Sequence, residues 1–189
     1  MKRFSIASLG AIAVIAAIPF IGEMPVSASL KSYAGAIAQQ VQQQPQVQLR
    51  LTAQKKTVQK DPAGNPKVTW QPLEGSVVVY PKEVIRYTVT GSNNSDRAVN
   101  NLAFTQPIPN KTIYVLNSAN TENNSAKITY SIDNGKSFVE NPTVQVKLPN
   151  GKVETRPAPA TAYTHVRWNF ESAIQPKAAV NGTYQVQVR

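Results

Sequence analysis

From Val47 onward apolar and polar residues alternate with a period of two, and this recurs in separate stretches along the chain. Val47, Leu49, Leu51 and Ala53 alternate with Gln48, Arg50, Thr52 and Gln54. The same pattern returns in Ile85-Tyr87-Val89, Ile128-Tyr130-Ile132, Val144-Val146-Leu148, Val166-Trp168-Phe170 and Tyr184-Val186-Val188. Successive side chains of a strand point to opposite faces, so each stretch predicts a strand with one dry and one wet face. Val68-Trp70, Ser76-Tyr80, Asn101-Thr105 and Thr112-Leu116 are less regular strand candidates. About ten short strands without a helical periodicity define an all-β, antiparallel chain. The dry faces of two sheets packed together predict a β-sandwich, with Trp70, Tyr87 and Trp168 as the largest core candidates.

The connections agree with this. Asn134-Gly135, Asn150-Gly151 and Asn181-Gly182 supply the positive φ of tight turns, and Asn150-Gly151 predicts a hairpin between Val144-Leu148 and Lys152-Thr155. The Pro-rich segments Asp61 to Pro66, Pro107-Ile108-Pro109 and Arg156-Pro157-Ala158-Pro159 are expected to interrupt ladders as loops.

The N-terminus reads as an address. Met1-Lys2-Arg3 precedes an apolar run from Phe4 to Gly22 that Pro19 interrupts, and small-residue sites follow at Val26-Ser27-Ala28 and Ala36-Ile37-Ala38. Residues 1–38 are therefore expected to be a secretory signal, cut after Ala28 or Ala38. The rival is a retained anchor, because a run of about 20 residues spans a bilayer. Export places the chain in the periplasm, the cell envelope or the medium. Residues 39–45, a Gln-rich tract ending in Pro45, are expected to be a tether that cannot bury enough surface to pack. A single β-sandwich domain is then expected over residues 46–189, a length well within one domain.

Composition removes several function classes. The 189 residues include no Cys and one His. Disulfides, thiolate metal sites and a cysteine nucleophile are excluded, and a multi-histidine metal site cannot be built. His165 lies on a wet face beside Arg167 and is expected to be an exposed structural side chain. Asp133-Asn134-Gly135 resembles the start of a calcium loop but lacks the further oxygen ligands, so a turn is expected. Glutamates are scattered, and the serines lack a Gly-x-Ser-x-Gly elbow. The expectation is a noncatalytic protein with no cofactor.

One stretch resembles a known family. Pro81-Lys82-Glu83 followed by Val84-Ile85-Arg86-Tyr87-Thr88-Val89-Thr90 and Asn93-Asn94-Ser95 resembles the opening of the conserved-repeat domain of bacterial surface proteins, known as domain of unknown function number eleven. In that family the opening is Pro-Gly-Asp, then an alternating strand with a Tyr, then an Asn. Lys82-Glu83 stands for Gly-Asp here, and Asn93 or Asn94 for the Asn. Leu102-Ala103-Phe104-Thr105-Gln106-Pro107 is similar to the family's second strand and its Thr-Asp corner, with Gln106 in the Asp position. The segments Ile128 to Phe138 and Thr164 to Trp168 look like those of single-copy secreted cyanobacterial members. The resemblance covers about residues 76–189 and implies an immunoglobulin-like sandwich at the cell surface, with no catalytic motif to carry over.

The charge is the main chemical hint. The chain carries a net charge of +10. Removing Lys2, Arg3, Lys31 and Glu23 by a cut after Ala38 leaves 17 basic and 9 acidic residues, a net +8. Arg50, Arg86, Lys147, Arg167 and Arg189 fall on wet faces, and Lys55, Lys56 and Lys60 enrich the first strand and the loop after it. The candidate binding face is Arg50, Arg86, Lys147 and Arg167, with an anionic envelope polysaccharide or lipid headgroups as its partner. The alternative is a dispersed charge that keeps the domain soluble. A second function class is a structural subunit that pairs with another surface protein through sheet edges. Nucleic acid is disfavoured by the absence of a recognition helix or aromatic ribonucleoprotein motif. A membrane enters only through an uncleaved signal, and the sequence leaves the oligomeric state open. The sequons at Asn93, Asn110, Asn123 and Asn181 are read as Asn-rich turn chemistry.

Overall fold

The structure, a computed structural model, describes residues 47–189 except Ser76, together with the backbone of two short strands, β1 (Phe4–Ile6) and β2 (Ile15–Ala17). Both signal cut sites and the Gln-rich tract lie outside the described residues. The domain proper opens with β3 (Val47–Lys60), then β4 (Pro66–Leu73), β5 (Val77–Val79), β6 (Val84–Asn93), β7 (Ala103–Pro107), β8 (Thr112–Tyr114) and β9 (Asn120–Thr121). It continues with β10 (Lys127–Ser131), β11 (Thr143–Lys147), β12 (Val153–Pro157), β13 (His165–Asn169) and β14 (Ala179–Val188).

All pairings are antiparallel. The larger sheet runs β4-β3-β6-β14-β8, with β9 also on β14, and the smaller runs β10-β13-β7 with β2 added outside β7. β1 pairs with β5, and β11 with β12 as a separate hairpin. The two sheets pack face to face as a β-sandwich. Tyr87, Val89, Tyr184 and Val186 of the larger sheet meet Phe104, Val166 and Trp168 of the smaller, all of them buried. Stacked rings of Tyr87 and Tyr184, 5.4 Å apart, lie within the larger sheet, and the Tyr184 hydroxyl donates to the Pro107 carbonyl of the smaller at 3.1 Å. Each such ring removes a large apolar area from water, which drives the face-to-face packing.

Several expectations are corrected. Trp70 is not in the core: its partner across the ladder is Lys56, an outward position, and it lies half-buried on the outer surface. The cause is that β3 and β4 continue as a ribbon beyond the sandwich, so Lys55, Lys56 and Lys60 all belong to the strand. Asn181-Gly182 makes no turn. It sits inside β14 without positive φ, where the glycine is needed because a Cβ would lie 2.6 Å from the Trp168 ring. Arg156-Pro157 ends β12 rather than opening a loop, and Pro157 opposes Thr143 at the last rung, where a missing donor costs little. Asn134, Gly135 and Gly151 do adopt positive φ, and β11 and β12 form the expected hairpin.

The Pro81-Lys82-Glu83 turn shows how this chain does without glycine. The Glu83 amide donates to the Tyr80 carbonyl at 3.1 Å, and Lys82 takes φ +74°, as the third residue of a type II turn must. The Glu83 carboxylate also accepts the Tyr80 amide at 2.9 Å, closing the turn from the other side. A left-handed lysine costs roughly 1–2 kcal/mol, while glycine loses more entropy on folding. Lys82→Gly is therefore expected to stabilise the fold by about 0.5–1 kcal/mol. A urea midpoint unchanged or lowered would contradict this account of the turn.

Gln106 points into the core, fully buried, and neither its amide nitrogen nor its oxygen has a hydrogen-bond partner among the described residues. Such a group opposes folding, since an unpaired buried amide loses its hydration without return.

Candidate functional site

The outer face of the larger sheet is set by register. Ala53 faces the core, so Arg50, Thr52, Gln54, Lys56, Val58 and Lys60 point outward from β3. In β6 the buried Ile85, Tyr87 and Val89 leave Arg86, Thr88 and Thr90 outward, and in β14 the buried Tyr184 and Val186 leave Thr183, Gln185 and Gln187 outward. Cross-strand partners then form rows: Arg50 beside Thr90 and Asn181, Thr52 beside Thr88 and Thr183, Gln54 beside Arg86 and Gln185. The face is a lawn of hydroxyls and amides with cations set into it. Among the outward positions of β3, β4, β6 and β14 there is no carboxylate.

Arg86 is fixed in place. Its Nε and Nη2 both donate to Gln54 Oε1, at 3.1 and 2.6 Å, and its guanidinium lies 4.2 Å over the Trp70 ring. The ring face favours the cation and partial burial lowers the Arg86 pKa, yet arginine stays charged at any physiological pH. Arg50 is exposed and borders two shallow depressions beside β3, one reaching Gln48 and Ser92 and the other Pro72 and Glu74. Among the described residues Arg50, Lys56 and Lys60 make no ion pair. The nearby acids are off the strands: Asp61 accepts the Ala63 and Asn65 amides in its turn, Glu74 follows the end of β4, and Glu122, just after β9, accepts the outward Asn181 side-chain amide at 3.1 Å. Lys55 points to the other side and pairs with Glu83 at 3.3 Å.

The four residues expected to share a face are split. Arg50 and Arg86 do share the outer face of the larger sheet. Arg167 belongs to the smaller sheet, where its Nε donates to Thr105 Oγ1 at 2.9 Å and its guanidinium lies 3.5 Å over the Phe138 ring. Lys147 is exposed on the β11–β12 hairpin. Sequence reasoning counted Lys56 and Lys60 only as enrichment. The apolar/polar alternation stops at Gln54, since Lys55, Thr57 and Gln59 stand at the inward parity and Val58 at the outward one, so only the pairing with β4 shows that Lys56 and Lys60 extend the same row.

His165 is half-buried, against the expectation of full exposure. Gly135 lies against its imidazole, Phe138 packs edge-on with centroids 6.4 Å apart, and Nδ1 meets Thr164 Oγ1 at 3.1 Å. Burial and the neighbouring Arg167 lower its pKa, against a smaller opposing pull from Asp133, and so favour the neutral imidazole. Asp133 is taken up by its turn, accepting from both the Ser131 and Ser137 hydroxyls and from the Lys136 and Ser137 amides, which hold its carboxyl well below the usual range. Among the described residues no three His, Asp or Glu side chains gather as metal ligands.

Comparison with protein-family models, with curated proteins and with solved structures found no match for this chain.

Proposed function

We propose that this chain is an exported, noncatalytic immunoglobulin-like module of the kind found in the conserved-repeat domain of bacterial surface proteins, and that it binds or organises cell-envelope components. Anionic polymer docks on the outer face of the larger sheet. The observation that carries this reading is that Arg50, Lys56, Lys60 and Arg86 point outward together from a face whose strands offer no carboxylate. Cations of one sign on a hydroxyl-rich surface attract anionic polymers over about 8–10 Å at ordinary salt. The cationic start, the apolar run and the small-residue sites of residues 1–38 support export.

The test is retention of the purified protein on isolated cell envelopes across a salt series. Retention is expected at low salt and release at high salt, and Arg50→Glu/Arg86→Glu is expected to weaken it on the order of tenfold or more. An equal melting temperature would show that the variant is folded. Retention indifferent to both salt and charge reversal would sink the electrostatic reading.

A second reading, a subunit that pairs through strand edges, is favoured by one observation. β7 is the last strand of the smaller sheet within the domain, and its outer side is taken by β2 from the N-terminal segment. Removal of a signal would free that edge for a strand from another protein. Salt-resistant association that survives Arg50→Glu/Arg86→Glu is the outcome this reading expects.

A further inference from the structure

We propose that the cations along β3 form a linear track for an extended, acidic polysaccharide that lies lengthwise on the strand. The inference rests on the outer face being the docking surface and adds the shape and class of its ligand.

The spacing carries it. Arg50, Gln54, Lys56 and Lys60 are all outward on one strand, and Gln54 holds the Arg86 guanidinium at its own level. At about 3.3 Å per residue the four cations stand at roughly 0, 13, 20 and 33 Å along β3. Only Arg86 and Lys56, diagonal neighbours about 7–8 Å apart, are near enough to share one small anion. A compact phosphate therefore meets one or two charges, whereas a chain of about 33 Å meets all four.

The surface between the cations suits sugars. Thr52, Thr88 and Thr90 offer hydroxyls to hydroxyls, and Val58 and Val68, paired across the ribbon and 63% and 50% exposed, offer an apolar contact between Lys56 and Lys60. Single-stranded nucleic acid would want an open aromatic platform, but Trp70 has its ring covered by Arg86. A bilayer presents charge over a plane, and this row is a single file.

The test uses the purified full chain at low ionic strength with oligogalacturonates of increasing length, and with inorganic phosphate, oligo-dT and phosphatidylglycerol vesicles alongside. Affinity is expected to rise roughly tenfold as the oligomer lengthens to about 33 Å and then to level off. Arg50→Gln/Lys60→Gln, which trims both ends of the row, is expected to remove most of that rise, and Lys147→Gln to leave it intact. Oligogalacturonate binding that does not depend on length, or that inorganic phosphate displaces at equal concentration, would overturn the track while leaving the basic face standing. Binding of oligo-dT or vesicles without any of oligogalacturonate would overturn the polysaccharide. Failure of every polyanion to bind would remove both the track and the reading beneath it.

Discussion

Trp168→Ala is expected to destabilise the fold by about 3–5 kcal/mol, near the upper end for a single core truncation. The indole is fully buried at the centre of the smaller sheet, 5.9 Å from the Tyr184 ring, and its Nε1 donates to the Asn120 carbonyl at 3.0 Å. Truncation would leave a large cavity between two sheets whose backbones cannot close together, and it would remove the indole hydrogen bond. The same contact makes Gly182 its partner. A Cβ there would lie 2.6–2.9 Å from three atoms of the indole, so Gly182→Ala is expected to cost about 1–3 kcal/mol or more through overpacking. Gly91 faces Phe104 in the same way one strand over. In a double-mutant cycle, Gly182→Ala is expected to cost much less on a Trp168→Ala background, because the three atoms nearest the added Cβ all belong to that ring. Urea midpoints read all of these effects. Strict additivity of the two changes would show that the glycine is not there for the indole.

That pair also shows what the sequence could and could not reveal. Alternation located the strands, because a period of two has only one folded use. Ile85, Tyr87, Val89, Val166, Trp168, Tyr184 and Val186 are all buried on the faces that parity assigned them. Alternation does not say what a strand packs against. Val144-Val146-Leu148 has the same pattern as the core strands, yet it sits half-exposed on the β11–β12 hairpin. Trp70 followed the pattern onto a ribbon that outruns the sandwich. Asn-Gly at 181–182 carries the local signature of a turn, and the long-range approach of an indole from the opposite sheet overrode it.

The candidate site was half legible for the same reason. Parity put Arg50, Arg86, Lys147 and Arg167 on wet faces, but assigning faces to sheets needs the strand order. β13 crosses to the other sheet, and that separates Arg167 from Arg86 although each is outward on its own strand. The length of β3 was hidden by the low hydropathy of Lys55 to Lys60, whose pairing with β4 is satisfied by the backbone rather than by burial.

Asn93→Ala is expected to cost about 2–5 kcal/mol, because this one side chain holds a corner of the sandwich together. Of the two asparagines that fit the end of the strand, Asn93 is the buried one, 1% exposed. Its Nδ2 is shared among the carbonyls of Arg97, Ile174 and Gln175 at 2.8–3.1 Å, and its Oδ1 accepts the Ser95 amide and hydroxyl at 3.1 and 2.7 Å. Its backbone is also spanned, donating to the Ala178 carbonyl and accepting the Lys177 amide. Removing the amide takes one hydrogen bond from each of those three carbonyls, the Ile174 one buried, and deprives the Ser95 amide and hydroxyl of their acceptor. Asn93→Asp separates hydrogen bonding from packing, since it keeps the shape but turns an oxygen toward those carbonyls. Burial and the carbonyl dipoles would raise the folded pKa of the introduced carboxyl above its unfolded value of about 3.9. The native state would then bind the extra proton, so the penalty is full at neutral pH and recedes as pH falls through the folded pKa toward about 3.9. Measured against the parent chain at each pH, the Asn93→Asp deficit should therefore shrink in acid while the Asn93→Ala deficit stays constant. Equal, pH-independent losses for the two variants would mean that Asn93 acts through its volume and that its hydrogen bonds do not secure the corner.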